Sequence, residues 1–227
     1  KLGRSAVKLG ADEKQLISLG RGLVRDDVSA LLMDEPLTVI DPQSKFELRK
    51  KIKAINKINN LTVIYVTHDQ YEAMTFADEL LVMSLGEVIQ RGTPEQLFEK
   101  PTSKYVGNFI GSPAMNFLPA QVKSGEVDFA GSKLKTQPSK ANLDGSSIEI
   151  GIRPEYITLA SAPGQNVIEA QLVSHDDLGS VRVLKCVASG HPVSVKVQRS
   201  HGLPAASSLF LHLPQEKLWL YRDGKIL

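Results

Sequence analysis

The sequence predicts two dissimilar parts, an α/β region followed by an all-β region. Two observations carry that division. Up to about residue 112, short uncharged runs such as VSALLM (28–33) and LTVIYVT (61–67) alternate with stretches of helical period, as in a parallel sheet with crossover helices. From about Leu118 the helical period disappears, and short alternating segments punctuated by Gly, Pro, Asn and Asp replace it, as in a small antiparallel barrel or sandwich. The change falls near residues 111–118, giving domains over 1–112 and 113–227.

Residues 12–25 place Leu16, Leu19, Gly20 and Leu23 at helical spacing. Gly20 and Gly22 each cost such a helix about 1 kcal/mol relative to alanine, which implies close packing against a neighbour or a degraded helix. VSALLM is continuous and apolar, the texture of a strand buried on both faces. Asp41-Pro42 then starts a helix, with aspartate as the cap and proline in the first turn. That helix buries Leu48, Ile52 and Ile55 and leaves Lys50, Lys51, Lys53 and Lys57 on a solvated face. LTVIYVT reads as a second buried strand. Asp69 and Glu72 resemble a capping box opening a short helix through Ala77. ELLVM (79–83) and EVIQRG (87–92) read as a hairpin, and Thr93-Pro94 starts a further helix. In the β region, strands are expected in SIEIGI, NVIEAQLV, VRVLKCVA, PVSVKVQ, SLFLHL and LWLY.

Composition narrows the functional classes. Net charge is +2 from 27 bases and 25 acids, too balanced to point to nucleic acid or an anionic membrane. A lone cysteine, Cys186, excludes an internal disulfide and reads as a buried apolar side chain. No apolar run reaches the roughly 18 residues that span a bilayer. His175, His191, His201 and His212 lack metal-ligand spacing. Trp219 and Tyr221 share a strand face, with no basic groove around them for single-stranded nucleic acid.

The chemistry concentrates at two strand ends. LLMDEP delivers Asp34 and Glu35 at the carboxyl end of the first strand, where open α/β sheets bind ligands. The next strand ends in Thr67-His68-Asp69, which puts an imidazole at the same edge. An acid pair suits a magnesium-bound nucleotide: one carboxylate for the metal, the other to orient or deprotonate water.

Together these pieces resemble the ATPase subunits of ABC transporters. LLMDEP resembles the Walker B motif with its catalytic glutamate, LTVID (37–41) the D-loop that reaches a partner subunit, and VTHDQ (66–70) the switch-histidine loop. FIGSPAMNF (109–117) and GIRPEYITL (151–159) are similar to the maltose and glycerol-3-phosphate importer branch, whose subunits end in an OB-like regulatory domain. The resemblance implies a partial P-loop-type ATPase domain, ATP and Mg2+ as cofactors, Asp34 as the metal residue and Glu35 and His68 as catalytic residues. It also implies transmembrane permease partners, a second ATPase subunit in a homodimer, and a cytoplasmic place on the inner face of the membrane. Nucleic acid is not an expected partner.

Two departures qualify that reading. The phosphate loop G-x-x-x-x-G-K-S/T does not occur, and the chain opens on Lys1 rather than methionine, so a fragment, inactive alone, is expected. Where the family shows LSGGQ, this sequence has Leu9, Gly10, Ala11, Asp12 and Glu13. Gly10 and Ala11 keep backbone N–H groups for a phosphate, and Asp41 closes the D-loop toward the partner site. Asp12 and Glu13 either stabilise the helix dipole or repel the phosphates; one charge pair at 4 Å costs about 4 kcal/mol at an effective dielectric of 20. A non-hydrolysing regulatory or scaffolding subunit, or a truncated product, is the alternative.

Overall fold

The computed structural model describes residues 5–25, 28–59, 61–123, 125–137, 143–202 and 207–227; Lys1 and the side chain of His201 lie outside that description. The chain forms two compact units, Lys1–Leu80 and Leu81–Leu227.

In the first unit, α1 (Ala11–Leu23), β1 (Ala30–Asp34), α2 (Pro42–Asn59), β2 (Thr62–Val66) and α3 (Gln70–Phe76) follow the order read from the sequence. β1 and β2 pair in parallel, from Ala30 opposite Thr62 to Asp34 opposite Val66. One face of this pair packs with the helices through Met33, Ile52 and Phe76, joined by Leu19, Leu23, Leu31, Val63 and Tyr65. The opposite face is bare: Leu32 is 69% exposed, Ile64 53% and Val66 47%. The expectation of strands buried on both faces is therefore corrected. A two-stranded sheet with helices against one side alternates in burial whatever its composition.

Gly22 shows why α1 tolerates a glycine, since a Cβ there would lie 2.9 Å from Leu31 Cδ1. Gly20 faces open space, and nothing in the structure explains it. Asp41 caps α2 as expected, its Oδ1 accepting from Ser44 N–H at 2.9 Å. Asp69 caps α3, accepting from the N–H groups of Tyr71 and Glu72. The capping box is corrected, however, because the Glu72 side chain turns inward. It is 2% exposed, accepts from Tyr65 Oη at 2.9 Å and Thr67 Oγ1 at 3.2 Å, and pairs with Lys45 at 3.1 Å. A buried carboxylate needs such partners to offset its desolvation, and they tie α2, β2 and α3 together. Burial first, then the Glu72 contact, pushes the Tyr65 phenol up, so it stays a donor.

The second unit opens with the hairpin β3 (Leu80–Ser84) and β4 (Glu87–Gly92). Its turn residues Leu85 and Gly86 both have positive φ, +50° and +83°, the left-handed pair that a two-residue hairpin turn requires. α4 (Pro94–Glu99) carries a reciprocal cap between Thr93 and Gln96. α5 (Lys104–Phe109) follows, too short to show a period in sequence. The β region comprises β5 (Asn116–Lys123), β6 (Glu126–Phe129), β7 (Ser132–Leu134), β8 (Ser147–Ile152), β9 (Thr158–Ala160), β10 (Val167–Asp177), β11 (Val181–Ala188), β12 (His191–Gln198), β13 (Ser208–His212), β14 (Trp219–Arg222) and β15 (Lys225–Ile226). Two antiparallel sheets result, ordered β15-β14-β8-β5-β6-β7 and β12-β11-β10-β13-β9. Their inner faces share one apolar core that includes Leu118, Ile150, Ile152, Ile168, Leu184, Cys186, Val195 and Leu211. Burial pushes the Cys186 thiol up to about 11, which leaves it an inert core side chain.

Asn116 joins the two sheets where no strand does: its amide donates to Ser194 O at 2.9 Å and its Oδ1 accepts from Ser194 N–H at 2.8 Å. Arg153 holds α4 and α5. It is 1% exposed; Nε donates to Phe98 O at 3.0 Å, and Nη1 donates to Gly107 O at 3.0 Å and to Ile110 O. Gly111, at φ +104°, makes room, since a Cβ there would lie 2.8 Å from Nη1. Trp219 Nε1 donates to Glu99 O and Tyr221 Oη to Pro101 O, at 2.8 and 2.7 Å. Segment 94–111 therefore packs against the β strands within the second compact unit. Among the described residues no helix is long and apolar enough to cross a membrane.

Replacing Arg153 by Met would remove the guanidinium donors from Phe98 O and Ile110 O beneath α4 and α5, and leave Gly107 O with Met115 N–H at 3.2 Å. We expect a loss of about 3–5 kcal/mol in the stability of this unit, the usual cost of stripping one partner from a buried charged contact. Chemical denaturation followed by Trp219 fluorescence measures it, and a midpoint equal to that of the unaltered chain would refute the role.

Candidate functional site

The site lies at the carboxyl ends of β1 and β2. Asp34 is the last residue of β1 and is exposed. Glu35 extends the ladder by one bond, its N–H donating to Val66 O at 2.9 Å. It then turns into the left-handed region at φ +46°, a conformation costing a non-glycine residue about 1–3 kcal/mol. The turn through Pro36-Leu37 brings the side chain back across the end of β2. There Oε1 accepts from the backbone N–H of His68 at 3.0 Å and lies 2.5 Å from His68 Nδ1. The other oxygen, Oε2, accepts from Thr38 Oγ1 at 2.9 Å.

These contacts set the electrostatics. The imidazole contact, ahead of all else, lowers the Glu35 carboxyl below its ordinary range. The same contact, followed by the carboxylate charge, raises His68 above 6.5. His68 is largely exposed, its side chain retaining 76% accessibility, so solvent screens the pair and its weight is geometric. The β2 end is stiffened from behind, since Thr67 Oγ1 accepts from Asp69 N–H at 3.0 Å and donates to Glu72.

Of the residues singled out in the sequence, Glu35 and His68 are brought together, with Asp34 adjacent. Asp41 is exposed and engaged in capping α2. Gly10, Ala11, Asp12 and Glu13 form the start of α1, where Glu13 Oε2 accepts from Gly10 N–H at 3.3 Å. The first turn thus uses one of its own acids on the Gly10 amide. α1 reaches the site loop through Gln15, whose amide donates to Pro36 O at 2.9 Å. Sequence reasoning missed Thr38 and Glu72. A hydroxyl three residues after an acid in a turn was the signal for Thr38; Glu72 was legible only as a helix cap.

The family model of the MalK OB fold domain matches residues 111–157. The sn-glycerol-3-phosphate import ATP-binding protein UgpC of Vibrio vulnificus is 37% identical over 201 residues, covering 88% of this chain and 51% of its own length. The UgpC of Vibrio cholerae is 42% identical over 171 residues, covering 75% of this chain and 45% of its own length. The trehalose/maltose import ATP-binding protein MalK of Thermococcus litoralis is 37% identical over 201 residues, covering 83% and 54%. This chain is a homologue of ABC-importer ATP-binding subunits. It spans about half the length of the curated relatives it matches. The MalK OB fold match falls within the β unit, giving that unit its OB-like character.

The pair has a defined pH window. The raised His68 value makes its share of stability complete below pH 6.5, lost as pH rises through the folded value. The lowered Glu35 value makes its share present above pH 4.5, lost as pH falls through the folded value. In an NMR titration of the His68 ring we expect a midpoint above 6.5 that moves back toward 6.5 in Glu35→Gln. A midpoint indifferent to that substitution would mean the contact does not form in solution.

Proposed function

We propose that these residues form the carboxyl-terminal part of an ATPase subunit that energises uptake of a sugar or sugar phosphate through an ABC importer. The observation that carries the reading is the meeting of Glu35 and His68, 2.5 Å apart, at the carboxyl edge of a parallel strand pair. On this reading Glu35 accepts a proton from the water that attacks the terminal phosphate of ATP, while the bond to the leaving ADP oxygen breaks. His68 orients the carboxylate and turns its other ring nitrogen to the phosphate. Asp34, an exposed carboxylate next to the base, suits a magnesium ion held through water; Mg2+ when bound would neutralise charge on the phosphates. Gly10 and Ala11 at the start of α1, together with Asp41, would face the nucleotide of a second, identical subunit. The reading places residues 1–112 in a P-loop-type ATPase module and 113–227 in a regulatory one. Permease subunits are the membrane partners, and the inner membrane face is the location.

A second reading, a non-hydrolysing subunit, has its own support in Glu13, whose carboxylate sits on the Gly10 amide. ATP turnover by the full-length protein that carries these residues decides between them. We expect Glu35→Gln to reduce turnover at least a hundredfold while ATP binding is kept. A full-length protein that binds ATP but shows no turnover, with or without Glu35, would favour the second reading.

A further inference from the structure

We propose that Thr38 is a positioning residue for Glu35, holding the carboxylate plane in the orientation the hydrolytic step requires. The inference rests on the reading of Glu35 as the base. His68 engages a single oxygen of Glu35, Oε1, through both its backbone N–H and its ring. A carboxylate anchored at one oxygen can still swing about that anchor and rotate its second oxygen out of line. Thr38 Oγ1 removes this freedom by donating to Oε2 at 2.9 Å.

The hydroxyl has one proton and two acceptors in reach, Oε2 and the Glu35 carbonyl at 3.2 Å. The carboxylate contact is shorter and charge-assisted, so it wins. The turn itself does not need the hydroxyl, because Thr38 N–H already meets the Glu35 carbonyl at 3.4 Å. Thr38 is exposed, so its side chain contributes little to the core. What remains for the hydroxyl is the carboxylate. A donor on Oε2 makes the group a slightly weaker base, so its benefit lies in aim rather than proton affinity. Thr38 also belongs to segment 37–41, so a shift of that segment would carry Oε2 with it.

The test is ATP turnover by the full-length protein with Thr38→Val, Thr38→Ser and Glu35→Gln in parallel. Valine keeps the shape and removes the hydroxyl; serine restores it. We expect T38V to lower kcat about tenfold with KM for ATP within twofold, and T38S to return kcat to within twofold of the parent. A purely structural role would lower the melting temperature of T38V and would not separate kcat from KM. A T38V protein with unchanged or raised kcat, or with a changed KM alone, overturns the proposal while an inactive E35Q keeps Glu35 as the base. A fully active E35Q, or a parent protein without turnover, overturns the reading of Glu35 and this proposal together.

Discussion

One hydrogen bond beyond the last paired residues of β1 and β2, from Glu35 N–H to Val66 O, fixes where the candidate site stands. It carries the ladder to the residue at which β1 must turn, and the left-handed backbone of Glu35 follows from that turn. Because the strands are parallel, both leave the sheet at the same edge, so their terminal side chains converge. In an antiparallel pair Glu35 and His68 would lie at opposite ends. The acid–imidazole contact is thus a product of strand direction and register, and Glu72 protects that register by pinning Tyr65 and Thr67 to α2.

The β unit obeys a comparable constraint at a different place. Helices as short as α4 and α5 cannot hold themselves, and their last carbonyls point toward a buried region. A single guanidinium beneath them meets carbonyls from both, while its charge suits the negative ends of the helices. Lys217 reinforces the same assembly through Glu99 at 2.7 Å. Burial alone would raise that carboxyl, but Lys217 and Tyr156 bring it below its usual range, so it stays charged and paired.

Much of this was legible because local chemistry and tertiary structure agree. Two uncharged runs became the parallel strands, Asp41 and Thr93 capped the helices they precede, and six alternating segments became strands. The acid and the imidazole were found because strand ends announce themselves. The failures share a cause, which is that one-dimensional pattern does not report what lies on the far side of an element. Leu32 and Ile64 look as buried as Met33, although they face outward. Glu72 has cap spacing but an inward rotamer, set by Tyr65 and Lys45 from other elements. Strand β5 escaped notice because Pro119 interrupts it, yet that proline sits at an exposed position opposite Glu149. Arg153 stands in GIRPEYITL with no local sign of the three distant carbonyls it meets.

The amide of Asn116 has a consequence for self-association. β12 ends the five-stranded sheet, and an outer strand with free N–H and C=O groups is a template for another chain. Asn116 fills both backbone positions of Ser194, and Pro154 O accepts from Lys196 N–H at 2.9 Å a little further along. The middle of that border is therefore already occupied by the molecule itself. Copies of this chain cannot lengthen the sheet by adding a strand at that border.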